Sequence, residues 1–196
     1  MNNKIILASQ SPRRKQLLEW AEVDFDILVQ PTDESYPAGM PVEIVPVHIA
    51  RNKANAISEH PYYASYNLPQ TVLAADTIVV LNNTVIGKPV DRKEAIDILS
   101  RLSGQKHLVI TGVVLKRGET EIAFSDTTAV WFHALTNKEI EFYVHKYQPY
   151  DKAGAYAIQE WIGVTGIRRI EGDFYNVMGL PVSRVVHALR ELNYEK

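Results

Sequence analysis

Apolar and polar positions change period several times along the chain, and the changes mark out its elements. Ile5-Ile6-Leu7-Ala8 is an unbroken apolar run, the pattern of a short buried strand. Ser9-Gln10 follows, then Ser11 as a helix cap and Pro12 at the first helical position, which predicts a strand, loop, helix unit. Residues 23–29 alternate as a strand, and a Pro-rich, acidic connection over 31–46 leads to a second helix over about 47–58. A polar, Tyr-containing loop is expected over 60–70. Residues 71–81 form a β-branched run that turns at Asn82-Asn83 into 84–86, the signature of a hairpin. Asp91 and Glu94 are spaced as a capping box, and Gly104 stands past the end of the helix they start. Two long strands, 107–115 and 121–132, are joined at Lys116-Arg117-Gly118, and Thr136 with Glu139 caps a helix ending near Tyr147. A Gly-punctuated segment, 151–179, precedes a last helix that starts at Pro181 and carries Val182, Val185, Val186, Leu189 and Leu192 on one face.

Helices alternating with mostly hairpin-linked strands predict an α/β fold, a mixed sheet with helices around it, bent into two lobes. At 196 residues the chain is expected to be one domain over its whole length, without internal repeats or low-complexity tracts. Composition narrows the function. Twenty-one Lys and Arg against 23 Asp and Glu leave a net charge of -2, so no overall field favours long nucleic acids and bound phosphate must be met locally. The absence of Cys removes disulfides, thiolate nucleophiles and Cys-based zinc sites. Met1-Asn2-Asn3-Lys4 runs into the first strand with no long apolar leader, and no apolar run reaches the ~18 residues of a membrane helix, so a cytoplasmic protein without a membrane partner is expected.

Certain charges break local rules. Arg13 and Arg14 occupy the first turn of the first helix, where the macrodipole favours anions over cations. Free N–H groups at that terminus together with two guanidinium forks would make a triphosphate site. The other reading is a solvated arginine pair, against which Arg14 stands three and four residues before the inward Leu17 and Leu18. Lys53 shares a helix face with Ile49 and Ile57, and either meets an anion or snorkels to water. Asp76 lies inside Leu73-Ala74-Ala75-Asp76-Thr77-Ile78-Val79-Val80, where a bare carboxylate costs several kcal/mol unless a metal, a cation or hydrogen bonds compensate it. If the Asn82-Asn83 turn is a two-residue hairpin, Leu81 pairs with Thr84 and counting back sets Thr77 opposite Lys88, so a structural Asp76–Lys88 pair stays in play. Asp33 and Glu34 sit in the connection, where acidic residues are ordinarily solvated. The six His residues have no metal-site spacing, and neither a P-loop nor a Rossmann glycine pattern is present.

At Leu7-Ala8-Ser9-Gln10-Ser11-Pro12-Arg13-Arg14 the sequence resembles the Maf family, whose signature after the first strand is S-x-S-P-R-R. The likeness continues in order through Lys53-Ala54, Ala75-Asp76-Thr77, Gly87-Lys88-Pro89, Asp151-Lys152-Ala153-Gly154-Ala155-Tyr156-Ala157-Ile158-Gln159 and Asn176-Val177-Met178-Gly179-Leu180-Pro181. It implies an α/β architecture with an elongated sheet and a cleft between two lobes, shared with inosine triphosphatase-like house-cleaning enzymes. It implies hydrolysis of nucleoside triphosphates to monophosphate and pyrophosphate, with Asp76 as proton acceptor. Arg14, Lys53 and Lys88 would hold the phosphates, and Glu34 would join Asp76 in holding Mg²⁺ or Mn²⁺. By the same resemblance Ser9 and Ser11 belong to the substrate site, and Arg13, Thr77 and Gln159 match the branch acting on dTTP and UTP. A homodimer is implied as well. The chain departs from the family where I-Q-G is usual, because Gln159 is followed by Glu160-Trp161, and Ala157 replaces a frequent Gly. The competing readings are a nucleotide-sensing regulator of cell division without turnover, a pyrophosphatase for 7-methyl-GTP or purines, and an RNA-binding module suggested only by ten tyrosines and scattered Arg.

Overall fold

The computed structural model describes residues 4–65 and 69–192, so Met1-Asn2-Asn3 and part of the loop expected over 60–70 lie outside the described residues. A seven-stranded mixed sheet carries the fold, in the order β2-β1-β3-β5-β6-β7 with β4 paired to β3. The strands are β1 Ile5–Leu7, β2 Phe25–Ile27, β3 Val72–Leu81, β4 Thr84–Ile86, β5 Lys106–Arg117, β6 Thr120–Phe132 and β7 Ile167–Glu171. The helices are α1 Pro12–Trp20, α2 Val45–Ser58, α3 Arg92–Leu102, α4 Asn137–Tyr147, α5 Trp161–Gly166, α6 Phe174–Met178 and α7 Val182–Glu191. The α/β class and the mixed sheet match the expectation.

The chain forms two compact units. The first takes residues up to Asp76, then Thr111–Asp126 and the chain from Gly179; the second takes Thr77–Ile110 and Thr127–Met178. In the first unit β1 runs parallel to both β2 and β3, pairing Ile5 with Phe25 and Leu7 with Leu73. Its helix α2 starts at Val45, two residues earlier than the pattern suggested, because Pro46 falls in the first turn, where its missing N–H costs nothing. The apolar face of α2 puts Val47, Ala50, Ala54 and Ile57 into one buried cluster with Ile6, Ala8, Val72, Ala74 and Val114. Close approach is needed on the other side too. A Cβ on Gly112 of β5 would lie 2.2 Å from Pro46 C and Val47 N, so only glycine fits there. Helix α7 buries Val185, Ala188 and Leu189, with Val182 and Val186 half-buried.

In the second unit β3 and β4 form the expected hairpin, with Leu81 opposite Thr84 and Val79 opposite Ile86. Asn82 and Asn83 have φ of 48° and 63°, the left-handed pair of a type I′ turn. The ladder ends at Val79–Ile86, so the extrapolated Thr77–Lys88 pairing does not form; Gly87 and Pro89 leave the strand path. Asp91 caps α3 through the Glu94 amide at 2.8 Å, but the Glu94 carboxylate accepts from Val90 N at 2.7 Å instead of from the cap residue. Thr136 and Glu139 complete the reciprocal box on α4. The Gly-punctuated segment contains several regular elements. It holds a 3-10 turn at Ala153–Ala155, then α5, then β7 paired antiparallel to β6 (Val130 with Ile170), then α6. The core here includes a ring cluster of His107, Phe132 and Tyr156, with centroids 5.0 to 5.4 Å apart. His107 Nε2 and Tyr156 Oη are 2.8 Å apart. Burial pulls the His107 imidazole down to about 4 and pushes the Tyr156 phenol up, so both are neutral.

Among the described residues no helix is long and apolar enough to cross a membrane.

Candidate active site

The first unit gathers most of the charges singled out in the sequence. Successive strand side chains alternate in direction, so Asp76 shares a face of β3 with Ala74, which packs in the α2 cluster. Lys53 lies on α2 four residues before Ile57, which packs in the same cluster, and its ammonium is delivered to that face. Lys53 Nζ donates to Asp76 Oδ1 at 2.8 Å and stands 2.7 Å from Glu34 Oε1. The lysine does not snorkel to water; its side chain is only 18% exposed and its head is clasped between two carboxylates. Asp76 is 8% exposed, and its cationic partner is Lys53 from α2, not the Lys88 that hairpin register brought into consideration. Glu34, from the connection before α2, is half-exposed and joins the cluster through this ion pair. Its neighbour Asp33 turns away to accept from Ser35 N and Oγ, which holds its carboxyl below the usual range.

The start of α1 supplies the opposite charge. Ser11 caps the helix by accepting from Arg14 N, and Pro12 occupies the first turn, as the sequence predicted. No acidic residue stands in that turn. Arg14 is 8% exposed; its Nε donates to Gly179 O at 2.7 Å and its Nη1 to Ser9 Oγ at 3.1 Å. Ser9 Oγ also accepts from Ser11 N at 3.2 Å, so the two serines and Arg14 form one network. Burial lowers the affinity of Arg14 for its proton, while the Asp76 and Glu34 carboxylates push the other way and Arg13 adds like-charge repulsion. The solvated-pair reading therefore fails for Arg14, while Arg13 is half-buried at the same helix start.

Thr77, Lys88 and Gln159 lie in the second unit. Thr77 is half-buried on β3, pointing to the face opposite Asp76. Lys88 is exposed just past β4, next to Gly87, whose carbonyl accepts from Gly154 N at 3.1 Å. Gln159 is exposed in a turn closed by Glu160 N donating to Ala157 O at 3.1 Å. Two polar residues of the family-like motifs, Lys152 and Asn176, are buried in this unit. Lys152 is 8% exposed and bonded to Asp151 at 2.8 Å, with Glu160 at 3.7 Å. Asn176 donates to Val109 O and Thr128 Oγ1, tying α6 to β5 and β6. The signal for both was a polar residue inside an otherwise small or apolar run, which composition alone obscured.

Two carboxylates converging on one ammonium, beside a helix N-terminus that carries two arginines, define a class of site suited to phosphate esters and anhydrides. The donors also fit a hard divalent ion. Glu34 and Asp76 already share one cationic point, and oxygen ligands with water and phosphate filling the remaining positions are what such an ion takes. Among the described residues no cluster of three or more His, Cys, Asp or Glu that could hold a metal ion is present.

The comparisons narrow the class to a family. A model described as Maf-like protein matches residues 4–192, and the chain belongs to that family. It is 46% identical over 192 residues to a protein of Porphyromonas gingivalis named dTTP/UTP pyrophosphatase, covering 96% of this chain and 94% of the relative. It is 45% identical over 192 residues to a protein of the same name from Cytophaga hutchinsonii, covering 97% and 85%, and 46% identical over 191 residues to one from Bacteroides thetaiotaomicron, covering 96% of each.

Proposed function

We propose that this chain is a nucleoside triphosphate pyrophosphatase that hydrolyses dTTP and UTP to the monophosphate and pyrophosphate, acting as a single functional domain over residues 1–196. The observation that carries the reading is Lys53 held between Asp76 and Glu34 close to the arginine-bearing start of α1. The names of relatives 45–46% identical over nearly the full chain support the substrate choice.

In this reading Asp76 accepts the proton of a water whose oxygen bonds to the α phosphorus. The bond from that phosphorus to the bridging oxygen breaks, and its electron pair leaves with pyrophosphate. Lys53 orients the Asp76 carboxylate through its 2.8 Å bond. Arg14, fixed by Ser9 and Gly179, supplies a buried positive charge that needs no rearrangement as charge builds on the leaving group. Ser9 and Ser11 with the first turn of α1 receive phosphate oxygens. Lys88 holds the departing pyrophosphate. Glu34 and Asp76 would hold Mg²⁺ or Mn²⁺, which when bound neutralises phosphate charge and lowers the pKa of water. Arg13, Thr77 and Gln159 read the base; a Gln amide both donates and accepts, matching the N3–H and O4 edge of uracil or thymine. We further propose a cytoplasmic homodimer.

The test is pyrophosphate release from dTTP, UTP, CTP, GTP, 7-methyl-GTP and ITP with Mg²⁺ or Mn²⁺, repeated with chelator. Metal-dependent release fastest with dTTP or UTP is expected. No turnover would favour the nucleotide-sensing reading, and a purine preference would keep the chemistry while overturning the base assignment.

A further inference from the structure

The turn that carries Gln159 is held from both flanks by one hydroxyl. Tyr143, fully buried on α4, accepts a hydrogen bond from Ala157 N at 3.2 Å and donates to the Glu160 carboxylate at Oε2. Ala157 and Glu160 are also the two ends of the turn, closed by Glu160 N donating to Ala157 O. Of the two residues between them, Ile158 is buried and Gln159 is exposed. The ring of Tyr143 thus sits inside the unit, and its Oη fixes both ends of a turn whose outward corner is Gln159.

Further contacts lock the same turn. Glu160 precedes α5 but its side chain makes no capping bond, because it is turned to Tyr143 and stands 3.7 Å from Lys152 Nζ. Lys152 and Asp151 thereby place a charged pair behind the carboxylate. On the α5 side Gly163 N and Val164 N both donate to Glu160 O, at 2.9 and 3.2 Å. A Cβ on Gly163 would lie 1.7 Å from Ile158 O, so the helix rests directly on the backbone of the turn. A loop residue this exposed ordinarily samples many orientations; here the corner that bears it is fixed by hydrogen bonds on both sides and by backbone contact beneath.

We infer that Tyr143 and Glu160 are positioning residues for base discrimination: their hydrogen bond sets the direction of Gln159, and with it the preference for uracil and thymine over cytosine. This rests on the reading of Gln159 as a base-contacting residue.

The experiment compares steady-state kinetics on dTTP and dCTP for the full-length protein and four variants, with thermal unfolding of each. Tyr143→Phe and Glu160→Ala are expected to reduce the dTTP over dCTP preference in kcat/KM about fivefold, mainly through KM, the scale of one lost hydrogen bond. Glu160→Gln, which still offers an oxygen to Tyr143, is expected to retain the preference. Gln159→Ala is expected to lose it. If Gln159→Ala loses the preference while Tyr143→Phe and Glu160→Ala keep it and lose only thermal stability, the positioning role is overturned and the base reading stands. If Gln159→Ala itself keeps the preference, the base reading falls and the positioning role falls with it.

Discussion

Lys53 of α2 and Asp76 of β3 meet at 2.8 Å, although 23 residues separate them, and the pair removes the cost of burying either charge alone. The two members are expected to respond differently to substitution. Asp76→Asn keeps an oxygen acceptor for Lys53 and the volume of the side chain, so it should fold while turnover of dTTP falls at least ~100-fold, the scale of a lost general base. Lys53→Met leaves a carboxylate without its cation and should lose both turnover and about 2 kcal/mol of stability, below the range for fully buried pairs because both side chains keep some exposure. Circular dichroism, urea titration and pyrophosphate release check the two variants together.

Glu34 is half-exposed and touches the cluster through Lys53. Its removal should spare the fold, since an exposed ion pair contributes little. Glu34→Gln is expected to raise the Mg²⁺ concentration for half-maximal turnover on the order of tenfold, because the proposed mechanism has it as one of two carboxylate ligands. An unchanged metal dependence would remove Glu34 from the metal site.

Gly112 is the point where β5 passes against the start of α2. Any side chain there would overlap Pro46 and Val47 backbone, which cannot swing aside as a flexible side chain could. Gly112→Ala should therefore cost about 3 kcal/mol or more, measured by urea unfolding, and lower turnover through displacement of the helix that bears Lys53.

Acid should weaken the protein through His107. Its imidazole titrates near 4 in the folded chain against 6.5 when unfolded, so between these values the unfolded state binds more protons. Stability from this group is complete above pH 6.5 and is lost as pH falls toward 4, by on the order of 3 kcal/mol. Urea midpoints at pH 7, 5 and 4 should drop more steeply for the native chain than for His107→Gln.

Local chemistry was legible in the sequence wherever local rules decide structure. The Ser11 and Thr136 caps, the Asn82-Asn83 turn with its Leu81–Thr84 register and the inward direction of Arg14 all follow from neighbours within four residues. Lys53 and Asp76 were each legible as charges needing a partner, but not as partners of each other, since packing of α2 on β3 decides that. The hold of Gly179 O on Arg14 spans 165 residues and left no local trace. The elements within the Gly-punctuated segment 151–179 were not legible for a different reason: Gly163 permits backbone contact between α5 and Ile158, and β7 takes its order from pairing with β6. Composition cannot distinguish a glycine that loosens a chain from one that lets it pack.

Hydrolysis by water attack at the α phosphorus can be followed by turning over dTTP in ¹⁸O-labelled water and weighing the products. One ¹⁸O in dTMP and none in pyrophosphate is expected. Label in the pyrophosphate with none in dTMP, or dTDP and phosphate as products, would contradict it.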